Sequence, residues 1–227
     1  MKLSIVVIAL TMTTQSFGQV KFGVRAGLNL ANMTVKDLGD AKLKMNTSFH
    51  VGGIVEYSLA ETFSIESGLL LSEKGTKEEY SLSLGSVTIT GAGTISPLYL
   101  EIPINALYKV DLGSAKLHLF AGPYIGIGIG GKAKIEYTAT GLPSDVTLSS
   151  LGIEDESADI KFGTEDDSDL KGTDFGLNIG AGIEIKNLLV RAQYGLGLSN
   201  LDPKGLSVND TKNRVIGISL GYMFGGK

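Results

Sequence analysis

Apolar and polar residues alternate with a period of two through almost the whole chain, and that pattern predicts strands. In Lys21 to Ala31 the even positions Phe22, Val24, Ala26, Leu28 and Leu30 are apolar, while Lys21, Gly23, Arg25, Gly27 and Asn29 hold odd ones. Successive side chains of a strand point to opposite faces, so this segment has one apolar face and one small or polar face. The pattern recurs over Phe49–Leu59, Phe63–Ser72, Leu98–Lys109, Leu117–Gly130, Asp174–Ile185, Leu188–Ser199 and Ile216–Phe224. Counting these gives eight strands, each close to the roughly 9–11 residues that cross a bilayer at a tilt.

The connections alternate in length. Met33–Asn46, Gly75–Pro97, Lys132–Thr173 and Leu201–Thr211 are long, whereas Ala60–Thr62, Asp111–Ser114 and Lys186–Asn187 are short. Long loops at one end and tight turns at the other predict an all-β, eight-stranded antiparallel up-and-down transmembrane barrel with extracellular loops. The apolar face is broad and continuous, and the opposite face mixes glycine with charge, which cannot fill a dry core. The apolar face is therefore expected to meet lipid, with polar groups filling the lumen. Strand direction places Arg25, Glu56, Glu66, Glu184 and Arg191 in the lower half, and a single lumenal charge network of these five is the expectation. Phe22, Tyr57, Phe63, Tyr108, Tyr222 and Phe224 fall at one set of strand ends and Phe49 and Phe175 at the other, as interfacial girdles require.

Composition sharpens this picture. The chain has 227 residues with 31 Gly, no Cys, no Trp and a net charge of -4. Gly is about twice its usual share, which suits a crowded lumen. Without cysteine there is neither a disulfide framework nor a thiolate zinc site. An acidic balance argues against a nucleic-acid partner. At the start, Lys2, the apolar run Leu3–Met12 and the small residues Ser16 and Gly18 have the layout of a secretory signal. Residues 1–18 are expected to be that signal and 19–227 the barrel domain.

Several pieces carry a family resemblance. FGVRAGLNLAN at Phe22–Asn32, YLEIPINALYK at Tyr99–Lys109, GPYIGIGIG at Gly122–Gly130, RAQYGLGLSNL at Arg191–Leu201 and NRVIGISLGYMF at Asn213–Phe224 resemble the outer-membrane β-barrel (PorT-like) family of Bacteroidota. The resemblance covers nearly all of the chain after residue 18. It implies an eight-stranded outer-membrane barrel and no particular reaction.

Three features imitate chemistry. Gly126–Gly131 followed by Lys132 matches a phosphate-binding spelling, but no helix pattern follows and Ala133 stands where Ser or Thr would bind a metal. His50 and His118 are the only histidines; they are expected at opposite ends of the barrel, His50 near the outer rim. The loop Lys132–Thr173 is rich in acids, of which Glu154, Asp155, Glu165, Asp166 and Asp167 are weak Ca²⁺ candidates without EF-hand spacing. The sequence thus points to an integral outer-membrane barrel, not an enzyme and without a cofactor, with a side-chain-filled lumen. Its expected partners are outer-membrane lipid, lipopolysaccharide and a surface or envelope protein. A narrow pore for small solutes, a rim enzyme using His50 and a secreted lipophile-binding barrel are the rival readings.

Overall fold

The computed structural model describes residues 19–34, 43–204 and 210–225. The expected signal at residues 1–18 lies outside the described residues, as do parts of the first and last long connections. Ten strands are described: β1 (Val20–Thr34), β2 (Leu43–Ser58), β3 (Phe63–Glu73), β4 (Thr76–Leu84), β5 (Val87–Asp111), β6 (Lys116–Thr140), β7 (Glu156–Asp159), β8 (Thr173–Ile185), β9 (Leu188–Gly197) and β10 (Lys212–Phe224). Eight of them close an antiparallel barrel in the order β1, β2, β3, β5, β6, β8, β9, β10. The last strand returns to the first with unbroken register from Phe22↔Phe224 to Thr34↔Lys212. Closure pairs the backbone around the whole ring, which a hydrocarbon solvent demands because it offers no hydrogen bonds in exchange.

Alternation decides which face is inside. On β8, Phe175, Leu177, Ile179, Ile183 and Ile185 are exposed while Asp174, Asn178 and Glu184 are buried. On β10, Ile216, Ile218, Leu220, Tyr222 and Phe224 are exposed while Asn213 and Ser219 are buried. A water-soluble barrel shows the reverse arrangement. At the short-turn end aromatic residues line up across the seams, with Phe22 opposite Phe224 and Phe63 opposite Tyr108. Lumen-facing glycines make room for large neighbours. A Cβ on Gly180 would stand 2.4 Å from Phe120 Cζ, and one on Gly176 would stand 2.7 Å from Tyr124 Cε1.

Of two long connections expected to be loops, one is mostly strand and the other partly so. Gly75–Pro97 holds β4 and the first part of β5, and Lys132–Thr173 holds the end of β6 and β7. β5 and β6 each run for 25 residues. Extended chain rises about 3.3 Å per residue, so each strand measures roughly 80 Å and overshoots an apolar band about 25 Å tall. β3 and β4 lie end to end between β2 and β5, broken at Lys74–Gly75. Gly75 has φ of 118° there, and a Cβ would meet the Ile95 carbonyl oxygen at 1.8 Å.

At that level the two faces exchange roles. In β6 the apolar side chains keep odd positions from Leu117 to Ala139. A bulge opposite Leu98 and Tyr99 absorbs one β6 residue, Ile129, so odd positions face outward before it and inward after it. In β5 the pattern itself changes phase, from even apolar positions at Leu98–Tyr108 to odd ones at Val87, Ile89 and Ile95. The sheet beyond the barrel wall therefore carries Lys77, Thr94, Ser96, Lys132 and Lys134 outside and Tyr80, Leu82, Ile89, Ile135 and Tyr137 inside.

Ile218 is exposed at the middle of β10. Its replacement by Arg is expected to cost about 2–4 kcal/mol, as charge at the bilayer midplane does. Reversible folding into lipid vesicles measures this, and a cost below about 0.5 kcal/mol, normal for a water-facing site, contradicts the sidedness.

Candidate functional site

The lumen is filled by charged and aromatic side chains that neighbouring strands bring to common levels. Near its middle, Arg191 of β9 grips Glu66 of β3 with both terminal nitrogens, at 2.6 Å to Oε1 and 2.8 Å to Oε2. Arg25 Nη1 of β1 approaches the same carboxylate at 3.7 Å, and Asn105 Nδ2 of β5 donates to Oε1 at 3.4 Å. The Arg191 guanidinium also lies 4.2 Å from the centre of the Phe120 ring. All three ionic groups are almost fully buried, so pairing is what makes their charge tolerable.

The five residues expected in a single network are divided. Arg25, Glu66 and Arg191 meet; Glu56, although directly opposite Glu66 across β2 and β3, and Glu184 make their ion pairs with other residues. Glu56 pairs with Lys109 and accepts from Ser64 Oγ at 3.2 Å. Glu184 lies 3.4 Å from Lys21 Nζ and 2.9 Å from His118 Nε2, the second contact lacking hydrogen-bond alignment. Below them a cavity of about 940 Å³ opens at the short-turn end, lined by Lys21, Lys109, Lys116, Glu184 and Lys186 among others.

A second cluster nearer the long-loop end went unrecognised in the sequence. Lys74 Nζ lies 2.7 Å from Glu101 Oε2 and 3.1 Å from Asp174 Oδ2. Asp174 also accepts from Asn213 Nδ2 at 2.9 Å, Ser199 Oγ at 3.0 Å and Tyr124 OH at 3.2 Å. The Lys74 ammonium sits 4.1 Å from the Tyr124 ring centre and 5.5 Å from that of Tyr99. Glu101 and Asp174 already lay on lumenal positions of their strands; Lys74 continues the lumenal parity of Ser64, Glu66 and Ser72 but stands two residues beyond the expected end of its strand at Ser72. Above this cluster Met33, Ile160, Leu170 and Leu201 form a small apolar core with Phe162 and Ala133 packed against it. The acidic connection thus folds back over the mouth as a cap.

Residues that imitated chemistry occupy other settings. His50 is not at the outer rim: it is buried in the lumen with Nδ1 2.8 Å from Asn29 Oδ1. His118 belongs to the lower group with Glu184. The glycine run Gly126–Gly131 lies inside β6, with strand on both sides and no helix to hold a phosphate. Among the acidic candidates, Asp155 accepts from the Tyr137 amide at 2.8 Å, and Asp166 lies 3.8 Å from Lys204 Nζ. Asp167 accepts from Lys161 Nζ at 3.0 Å, and that hydrogen bond holds its carboxyl below the ordinary value. Among the described residues no three acidic or histidine groups, Glu154 and Glu165 included, converge to hold a metal ion.

Residues 13–202 match the family model described as outer membrane protein beta-barrel domain. The chain belongs to this family. Among solved structures it is similar to Ail, the attachment invasion locus protein of Yersinia pestis, at 16% identity and a TM-score of 0.41, covering 91% of this chain and 99% of that one. Neisserial surface protein A is similar at 14% identity and a TM-score of 0.40, covering 89% and 97% respectively. OprG of Pseudomonas aeruginosa is similar at 14% identity and a TM-score of 0.33, covering 93% and 99%. No curated protein matches the chain significantly. In an outer-membrane barrel the short turns face the periplasm, so the 940 Å³ cavity is a periplasmic vestibule, and the capped mouth and the sheet beyond it are extracellular.

The central triad has an uneven charge count, two cations on one carboxylate, and this orders the effects of mutation. Arg191→Leu leaves the matched pair Arg25 and Glu66, whereas Glu66→Leu leaves two buried guanidinium groups facing each other. Glu66→Leu is expected to destabilise by at least the roughly 3–5 kcal/mol typical of a broken buried pair, and Arg191→Leu by less. Urea unfolding in detergent measures both, and the reverse order overturns this account of the triad.

Proposed function

We propose that this outer-membrane barrel is a closed, rigid mount that presents an extracellular sheet to a protein partner at the cell surface, without catalysing a reaction or holding a cofactor. Export through the signal at residues 1–18 and membership of the PorT-like branch fit this reading. The observation that carries it is the inner face of the sheet beyond the membrane. Tyr80, Leu82 and Leu84 are more than half exposed there, and they stand in cross-strand register with Gly91, Ile89 and Val87. Tyr80 packs across Gly91, whose Cβ would lie 2.4 Å from Tyr80 Cζ, towards Tyr137 opposite. Contiguous exposed apolar area on a surface otherwise in contact with water favours association with another surface. β4 pairs with β2 only through Thr76–Glu78, and from Glu79 to Leu84 no described residue pairs on that side.

A pore is the second reading, and the filled lumen weighs against it. Arg191, Tyr99, Leu70, Leu107, Glu56 and Glu66 are fully buried within the barrel interior. An enzyme at the rim is disfavoured by the burial of His50 beneath the cap.

Two measurements test the proposal. A photo-crosslinking amino acid at Leu82 is expected to trap a discrete protein on intact cells, while the same group at Ser83, on the opposite face, does not; equal yields from both positions reject the surface assignment. In planar bilayers the purified protein is expected to leave conductance at background, and regular step conductance establishes the pore instead.

A further inference from the structure

The distal part of the same sheet carries charge of one sign. From Tyr80 to Tyr99 no residue is charged, and from Ile135 to Ile160 the charged residues are Glu136, Asp145, Glu154, Asp155, Glu156 and Asp159, with no Lys, Arg or His among them. The lysines stop nearer the barrel, at the level where Lys77 and Lys134 flank Thr94. Tyr80 and Tyr137, which flank Gly91, stand three residues farther out. That is about 10 Å along a strand, beyond the roughly 8 Å over which exposed charges act through physiological salt. At the tyrosines the field is therefore set by the acids. The hydrogen bond to Tyr80 and, to a smaller extent, the carboxylates of Glu156 and Asp155 hold the Tyr137 phenol above its ordinary value.

A hollow of about 400 Å³ opens beside Tyr137 at the β6 edge of this sheet. Leu148 and Ile153 give it apolar walls, Glu154 and Asp155 give it two carboxylates, and no basic residue lines it. The connection builds these walls locally. A single 3₁₀ turn, Ser149–Leu151, ends at Gly152, whose φ of 73° turns the chain back so that the Ile153 amide donates to the Leu148 carbonyl at 3.0 Å. Asp155 Oδ1 accepts from the Tyr137 amide at 2.8 Å, which fixes that carboxylate against β6 and leaves Oδ2 for a ligand. Two carboxylates between apolar walls offer too few ligands for Ca²⁺, which takes roughly six to eight oxygens. They suit a cation on an apolar stem, since Lys and Arg lay their methylene chains on apolar surface while the head group keeps polar company. Arg fits best, because its planar guanidinium presents a fork of donors to carboxylates and stacks on an aromatic face.

We propose that this hollow anchors an arginine side chain of the protein partner, with the guanidinium on Glu154 and Asp155 and the methylene stem against Leu148, Ile153 and the Tyr137 ring. Apolar residues of the same segment lie across Gly91 towards Tyr80 and Leu82. The partner is thus basic as well as apolar, which is the complement of this end of the sheet. The inference deepens the surface-contact reading by giving the partner's chemistry, and it rests on the inner face being the contact surface.

The test uses the full barrel in phosphatidylcholine nanodiscs and a labelled five-residue peptide that alternates leucine with arginine, read by fluorescence anisotropy. A counterpart peptide carries glutamine in place of arginine. The double variant Glu154→Gln/Asp155→Asn is compared with Glu165→Gln/Asp166→Asn, which removes the same charge from the same connection away from the hollow. An amide oxygen at position 155 still accepts from the Tyr137 amide, and heat-dependent gel mobility confirms that each variant is folded. The first variant is expected to lose about tenfold in affinity for the arginine peptide, equal to about 1.4 kcal/mol, and the second to keep the native affinity. The glutamine peptide is expected to bind the native barrel about tenfold more weakly than the arginine peptide. Equal affinity in the two variants, or equal binding of the two peptides, overturns the anchor. A doubled mass by light scattering in peptide-free detergent, lost in the first variant, assigns the hollow to a second copy of the chain and overturns it as well. A discrete Leu82 crosslink with equal peptide affinities removes the anchor alone, whereas equal crosslinking at Leu82 and Ser83 removes the contact face beneath it.

Discussion

Hydrocarbon around the barrel wall is the constraint from which the other features follow. It accepts no hydrogen bonds, so the sheet must close, and β10 must return to β1. It also solvates no charge, so every ionised residue within the spanning part of a strand must turn inward. Arg25, Glu56, Glu66, Lys109, Glu184 and Arg191 all do so. The interior of an eight-stranded ring is narrow, and those side chains then have only one another to pair with.

That crowding explains both the polar stacks and the glycines between them. A charge inside the wall is stable only as part of a hydrogen-bonded set, and the lumen holds several such sets at different depths: Glu56 with Lys109, Glu66 with two arginines, and Asp174 with Lys74, Tyr124, Ser199 and Asn213. Large rings such as Phe120 and Tyr124 lie against glycine backbones on β8, where any other residue would collide. The result is a plug made from the wall itself, closed above by the apolar cap of Met33, Ile160, Leu170 and Leu201.

Where the hydrocarbon ends, the constraint reverses. Water now faces the outer side of β4, β5 and β6, so lysine and threonine appear there and apolar residues move to the inner side. The two long strands achieve the exchange differently, β5 by a change of sequence phase and β6 by the bulge at Ile129. A single-residue offset moves a whole run of side chains to the other face, which is why one bulge is enough. The surface proposed above for protein contact, the apolar inner face, exists because of that exchange.

The period-two pattern was sufficient to establish eight spanning strands, their boundaries to within a few residues in most cases, the turn asymmetry and the sidedness, because each depends on local alternation and on one solvent. It also placed Arg25, Glu66 and Arg191 on the lumenal face and at similar depth. Which of the expected five actually meet was not legible, since that depends on side-chain reach across the ring between residues such as Glu66 and Arg191, 125 positions apart. Lys74 was missed for a different reason: it keeps the lumenal parity of Ser64, Glu66 and Ser72, but it lies beyond Ser72, where the alternation was expected to give way to a loop. The connection Gly75–Pro97 read as loop because its four glycines, with serine and charged residues between them, break up the apolar alternation. Pairing against β6 supplied the hydrogen bonds that made it sheet, and only the tertiary structure brings those partners together.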